Sequence, residues 1–426
     1  MMGRWRKQEG HKQVGILLFL LLSAVLFVGP AATQVVGDHG GQPSDYPTDP
    51  IKAELQAEIE SGSNLTPRGR KALFRARTHQ DAGRFTEAVE ILEKWQQGNP
   101  EREHHLLRFQ QGMAYLGMQN PERALEVLQT AVKKEPRFAR AWLRLGETAY
   151  GLESFDLAAE AFNQGYELSP TPRPEFLYYG CVAALSGGNS GRALDGLEHL
   201  LTLHRQNAPL DWYRALVTAA TDAEQPDRAA PHLERARNDH AGDPEVWELA
   251  YRFSAGRGDY EAAAIYLTIT GYLRELSRQE RTRLGDLYAV INVPLQAARS
   301  YAAALDPEKF TDGNSRATEY ERLAGAWLAA HRHEEARETL HRALAETETR
   351  RLWSLLGDLD HMSEDYAGAL KAYGRGCELD PAFARGWLMM GYCCQELDRP
   401  DEARKYLNKA KSFPEQAASA NILLAD

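Results

Sequence analysis

One alanine recurs along most of this chain at a nearly fixed spacing. It falls at Ala88, Ala124, Ala158, Ala193, Ala229, Ala263, Ala297, Ala336, Ala369 and Ala403. Successive gaps are 36, 34, 35, 36, 34, 34, 39, 33 and 34 residues. Four residues after each alanine stands a bulky one: Leu92, Leu128, Phe162, Leu197, Leu233, Leu267, Tyr301, Leu340, Tyr373 and Leu407. Upstream, a small residue occupies Ala76, Gly112, Gly146, Gly180, Gly285, Ala324, Gly357 and Gly391, while Val217 and Tyr251 break that rule. A period of this length is the signature of stacked supersecondary units. Two antiparallel helices approach closely only where side chains are small. The repeat therefore predicts ten helical hairpins over about 69–414, each too small to cover its own apolar face and stable only when stacked.

Two stretches define the unit. AWLRLGETAYGLESFDLAAEAFNQGYELSP starts at Ala141 and GWLMMGYCCQELDRPDEARKYLNKAKSFP at Gly386. The first places Trp142, Leu145, Gly146, Ala149, Ala158, Phe162, Gly165 and Pro170 in order; the second places Trp387, Met390, Gly391, Cys394, Ala403, Leu407 and Ala410. Both resemble the tetratricopeptide repeat, a helix–turn–helix of about 34 residues. The resemblance covers about four fifths of the chain. It implies an all-α, right-handed superhelical solenoid of about ten hairpins. Pro100, Pro136, Pro170 and Pro381 are expected to stop the second helix of their units. The longest gap predicts a turn-rich loop at 305–318, and residues 415–426 read as a capping helix.

The amino terminus reads as an address. Residues 1–13 form a basic stretch, and 14–32 are uncharged and strongly apolar, about 28 Å if helical. Two readings stay open, a cleaved secretory signal and an uncleaved anchor. They lead to the expectation of a single-pass inner-membrane protein with its repeats in the periplasm, or of a soluble periplasmic one. Residues 33–68 read as a linker that contains a short amphipathic helix at 51–62.

Chemistry has little room. No phosphate loop, dinucleotide fingerprint or zinc-protease motif occurs in a plausible context. Charged residues make up 26% with a net charge of −10, which argues against a nucleic-acid partner. No cofactor or metal is expected, and His331, His333 and His341 read as solvated surface histidines. Four cysteines are too few for a disulfide scaffold, although Cys377 could approach Cys393 or Cys394.

The family likeness implies that the first helix of each hairpin lines a concave face that binds proteins or peptides. Carried over by position, units two to four would offer Phe109, Met113, Leu143, Tyr150, Leu177 and Tyr178, bordered by Arg140, Arg144 and Glu147. The last unit would add Arg385 and Tyr392. The carboxylate clamp that holds chaperone tails needs asparagine at the sixth position of a unit, and none stands there. The expected function is a non-catalytic scaffold of the bacterial cell envelope, serving assembly, secretion or exopolysaccharide export. The alternative is a permanent structural subunit of a membrane-associated complex.

Overall fold

The computed structural model describes residues 65–206, 208–305 and 313–425. Among them lie twenty-one α-helices. Hairpin one is α1 (Pro67–Asp81) with α2 (Phe85–Gln97), and hairpin two is α3 (His105–Gly117) with α4 (Pro121–Lys134). Hairpin three is α5 (Ala139–Gly151) with α6 (Phe155–Leu168), and hairpin four is α7 (Pro174–Ser186) with α8 (Ser190–Leu203). Hairpin five joins α9 (Leu210–Asp222) to α10 (Pro226–Asp239). These five form one compact unit, which ends at Asp239.

A second unit starts at His240. It holds α11 (Pro244–Gly256) with α12 (Tyr260–Leu273), α13 (Arg278–Val290) with α14 (Pro294–Ala304), and α15 (Gly313–Ala329) with α16 (His333–Glu346). Then follow α17 (Arg350–Met362) with α18 (Tyr366–Leu379), α19 (Ala384–Glu396) with α20 (Pro400–Lys411), and a last helix α21 (Ala417–Ala425). The architecture is all-α, a solenoid of ten hairpins.

The recurrent alanine opens the second helix of every hairpin, and all ten copies are at most 2% exposed. The bulky residue four places on lies in the same core. Facing it is the small residue of the first helix. A Cβ built on Gly146 would stand 3.0 Å from Phe162, on Gly285 2.4 Å from Tyr301, and on Gly357 2.7 Å from Tyr373. Hairpins with alanine at that place carry leucine opposite: Ala76 clusters with Leu92, and Ala324 with Leu340. Each aromatic ring at this place thus faces a glycine, while Gly112 and Gly391 face Leu128 and Leu407. Two of those rings add a bond: the hydroxyls of Tyr301 and Tyr373 donate to Asp286 at 2.8 Å and Asp358 at 2.6 Å. Each aspartate immediately follows the glycine that admits the ring.

The turn inside every hairpin repeats one geometry. A residue in the left-handed region stands at Gly83, Gln119, Glu153, Gly188, Glu224, Gly258, Asn292, His331, Glu364 and Asp398, with φ between 56° and 79°. The next residue donates its N–H to the carbonyl five places back, as in Ser154 to Ala149 at 2.8 Å and Arg399 to Cys394 at 2.8 Å. This is the Schellman closure, which satisfies the helix's last carbonyls. Only three of the ten positions are glycine. Between hairpins, the indoles of Trp142, Trp247 and Trp387 donate to carbonyls six residues upstream, those of Pro136, Ala241 and Pro381.

Several expectations change. Among the described residues no helix is long and apolar enough to cross a membrane, so the expected single-pass inner-membrane placement is withdrawn. The apolar stretch 14–32, the basic residues 1–13 and the linker up to 64 lie outside the described residues. The loop expected at 305–318 is partly helix, because α15 starts at Gly313 and runs 17 residues against 13 in most first helices. The extra length therefore extends a helix. All four cysteines are free and buried, so Cys377 pairs with neither Cys393 nor Cys394. The Cys377 sulfur instead lies where it would stand 2.6 Å from a Cβ on Gly386. Burial pushes the Cys377 and Cys393 thiols up to about 12, which makes them poor thiolates.

Candidate partner-binding strip

The residues singled out on the first helices of hairpins two to four divide into two sets. Phe109, Tyr150 and Leu177 are buried. The Phe109 ring meets Phe138 edge-on at 5.0 Å and lies 5.7 Å from the Arg140 guanidinium carbon. Tyr150 packs edge-on against Phe155 at 5.4 Å, and its hydroxyl sits 3.3 Å from Ser186 Oγ. Burial raises its pKa above the usual tyrosine range. The Phe109 ring and the Tyr150 hydroxyl thus reach towards the following hairpin.

Met113, Arg140, Leu143, Arg144, Glu147 and Tyr178 keep partial exposure. On α5 the Arg144 guanidinium donates to Glu147 at 2.7 Å, one helical turn apart. On α7 stand Tyr178 and Tyr179, ring centres 6.0 Å apart. The Glu147 charge contributes to the raised pKa of Tyr179, behind burial and Glu175. Tyr178 stacks on Trp212 of α9 at 6.3 Å, and its pKa is raised chiefly by burial and then by the Asp211 charge. Asp211 in turn accepts from Arg214 at 2.8 Å. The result is a strip across α5, α7 and α9: an ion pair, two tyrosines, a second ion pair. Positional carry-over missed Tyr179 and Trp212, since neither holds a position that the family pattern assigns to that face.

The charged first helices of the second unit behave differently. Glu248 pairs with Arg274 at 3.3 Å, Glu321 with Arg351 at 3.5 Å, and Asp358 with Arg385 at 2.8 Å. The first links α11 to the residue that follows α12, and the last two join consecutive hairpins. Arg385 is therefore engaged in the stack. Tyr392 lies 5.3 Å from the His361 ring and 6.3 Å from Tyr366. Arg385 and Tyr392 belong to the second unit, whereas the tyrosine strip belongs to the first. No cluster of three or more metal-ligating side chains occurs among the described residues. His331 stands at the left-handed turn position of hairpin eight and His333 at the start of α16.

His105 opens α3 in a buried place and its Nε2 has no hydrogen-bond partner among the described residues. It stacks on His104 at 4.2 Å and meets Phe138 edge-on at 5.3 Å. Burial pushes its pKa from 6.5 down to about 4; the His104 charge adds to the depression and Glu135 opposes it. The fold thus favours neutral His105, while the unfolded chain takes up the proton near the ordinary value. This contribution is complete above the unfolded value and is lost as pH falls towards the folded one. Melting temperatures measured between pH 7 and 4 should fall less steeply for His105→Gln than for the parent chain. Parallel curves would show that His105 does not titrate this way.

The sequence matches the tetratricopeptide repeat family twice, over residues 109–171 and 384–416. Those matches contain the two stretches that define the repeat, the first reaching back over hairpin two as well. This is a tetratricopeptide-repeat protein. No curated protein matches it significantly. Among solved structures, MamA is 24% identical over 39% of this chain and 95% of its own, with a TM-score of 0.33. YrrB, described as a tetratricopeptide protein with an unusual peptide-binding site, is 16% identical over 44% of this chain and 95% of its own, TM-score 0.35. A Naa15/Naa10 complex bound to HypK is 14% identical over 83% of this chain and 65% of that chain, TM-score 0.45. None of these likenesses bears on what this tetratricopeptide chain binds. Tetratricopeptide arrays are in general non-catalytic platforms for protein–protein contact, and that is the function the fold supports.

Proposed function

We propose that this protein recruits a protein partner by holding an extended segment of it along the strip on α5, α7 and α9. The observation that carries the reading is the arrangement of Tyr178 and Tyr179 between the Arg144–Glu147 and Asp211–Arg214 pairs. Tyrosine offers a large, rigid, amphipathic contact at small entropic cost, which is why it is enriched where proteins meet. Both ion pairs are internal to one helix, at i and i+3, so they leave the strip without breaking a contact between hairpins. A bound segment would gain apolar contact from the rings and register from the charges at either end. Leu143 and Met113 extend the half-buried apolar margin. No catalytic step enters this reading.

The cell-envelope role in assembly, secretion or export rests on residues 14–32 alone, and recruitment through the strip does not depend on it. The exchange Arg144→Glu with Glu147→Arg tests the strip. It keeps an intrahelical pair and inverts the local field. Affinity for a captured partner should fall about tenfold or more, with the helical circular dichroism unchanged. Undiminished capture would remove this surface from consideration.

A further inference from the structure

The first hairpin carries a second surface of different chemistry. Its inner side is spoken for: Arg77 and Gln80 of α1 bond to Gln110 of α3, and Glu93 and Gln96 of α2 bond to Tyr115 and Gln111. The side turned away from hairpin two opens a cleft of about 420 Å³ between α1 and α2. Arg68, Lys71, Arg75 and Lys94 line it, all exposed, against one acidic side chain, Glu90. None of the four cationic head groups makes an ion pair among the described residues. Elsewhere in the same unit cations find carboxylates: Arg108 and Lys134 meet Glu103, and Arg228 meets Asp195 and Glu198. The apolar part of the lining is Ala72, Ile91 and Trp95. The Trp95 indole N–H is buried without an acceptor among the described residues. A buried donor of this kind has lost its water, and only an acceptor returns what that costs.

We propose that this cleft binds an acidic, extended segment of a protein partner. Carboxylates of the segment meet Arg68, Lys71, Arg75 and Lys94, one acceptor takes the Trp95 N–H, and an aliphatic side chain covers Ala72 and Ile91. Charge decides the class of occupant: four cations stand against one anion in a single cleft, in a chain whose net charge is −10. Anionic lipid would also meet the cations, but a flat bilayer surface does not reach a buried donor within a cleft. The site is separate from the tyrosine strip. It is built from α1 and α2 alone, whereas the strip crosses α5, α7 and α9. Each therefore stands or fails without the other.

The test uses the full-length chain and a fluorescein-labelled peptide of six glutamates and two leucines, followed by fluorescence anisotropy. The parent should bind this peptide, and should bind its glutamine counterpart about tenfold more weakly or worse. Lys71→Glu/Arg75→Glu should weaken binding of the acidic peptide about tenfold or more. Lys133→Glu/Arg137→Glu, an equal reversal at exposed cations of hairpin two, should change it less than about twofold. Trp95→Phe keeps a ring and deletes the donor, and should weaken binding about fivefold or more with the circular dichroism unchanged. The Arg144→Glu/Glu147→Arg exchange in the strip should leave it as in the parent. No binding of the peptide, equal losses from the two double reversals, or a Trp95→Phe chain that binds as the parent does would overturn the proposal. So would phosphatidylglycerol vesicles, or a second copy of this chain, as the ligand that Lys71→Glu/Arg75→Glu releases in place of the peptide.

Discussion

Glycine placed at Gln119, Glu153, Glu224, His331 and Glu364 should stabilise the protein, a result opposite to what glycine does within a helix. All five residues are exposed and hold φ between 56° and 59°. A side chain in the left-handed region costs about 1–2 kcal/mol, and glycine pays no such cost. Its greater freedom in the unfolded chain returns part of the gain. A net of about 0.5–1 kcal/mol per site gives about 2.5–5 kcal/mol for the five together. Asn292 and Asp398 are left out, since those residue types tolerate this conformation better. Hairpins one, four and six already carry glycine at Gly83, Gly188 and Gly258. The denaturant midpoint measures the effect. As a control, Glu126→Gly, exposed within α4, should lower stability by about 1 kcal/mol. A five-site chain less stable than its parent would contradict the turn geometry.

Gly285→Ala should act the other way. In an open helix the exchange gains about 1 kcal/mol. Here the new methyl would stand 2.4 Å from a ring carbon of Tyr301, which is buried and held by Asp286. Overpacking of that kind costs about 1–3 kcal/mol. The cost should largely vanish when Tyr301 is also changed to leucine, because Ala–Leu is the pairing found in hairpins one and eight. A double-mutant cycle should therefore give a coupling of about 1 kcal/mol or more. Additive effects would mean that glycine and ring do not share this space.

These two results divide what the sequence discloses from what it hides. The alanine period was legible because one small residue must sit at each helix crossing, and ten copies of a packing constraint leave a register. The small residue and the bulky one were present as two separate columns, and only contact shows which atoms meet: a ring at Gly146, Gly285 and Gly357, a leucine at Gly112 and Gly391. The left-handed turns leave little trace, since seven of the ten are filled by Gln, Glu, Asn, His or Asp. Their spacing follows that of the alanines, five residues upstream, and could be found only by counting back from them.

The candidate site was legible in part for a related reason. Position in the repeat told which helix a residue belongs to, and it correctly put Arg144, Glu147 and Tyr178 on first helices. It did not tell whether a long side chain leans into the neighbouring hairpin. Phe109 is buried against Phe138 at the entry to α5, Tyr150 against Phe155 of its own hairpin with its hydroxyl beside Ser186 of the next, and Leu177 is buried as well; burying a ring is worth more than leaving it wet. Arg385 was drawn away by the carboxylate of Asp358. The extended α15 escaped notice because Gly313, Asn314 and Ser315 have poor helix propensity and read as turn residues.

The account stands most directly on where a partner touches this chain. A photo-crosslinking amino acid placed at Tyr179, and separately at the outward-facing Arg192 of α8, gives the decisive comparison. Recruitment through the strip predicts a discrete crosslinked partner from position 179, weakened by the Arg144→Glu/Glu147→Arg exchange, and none from position 192. Equal crosslinking at both positions, or a partner that reaches 192 alone, would contradict it.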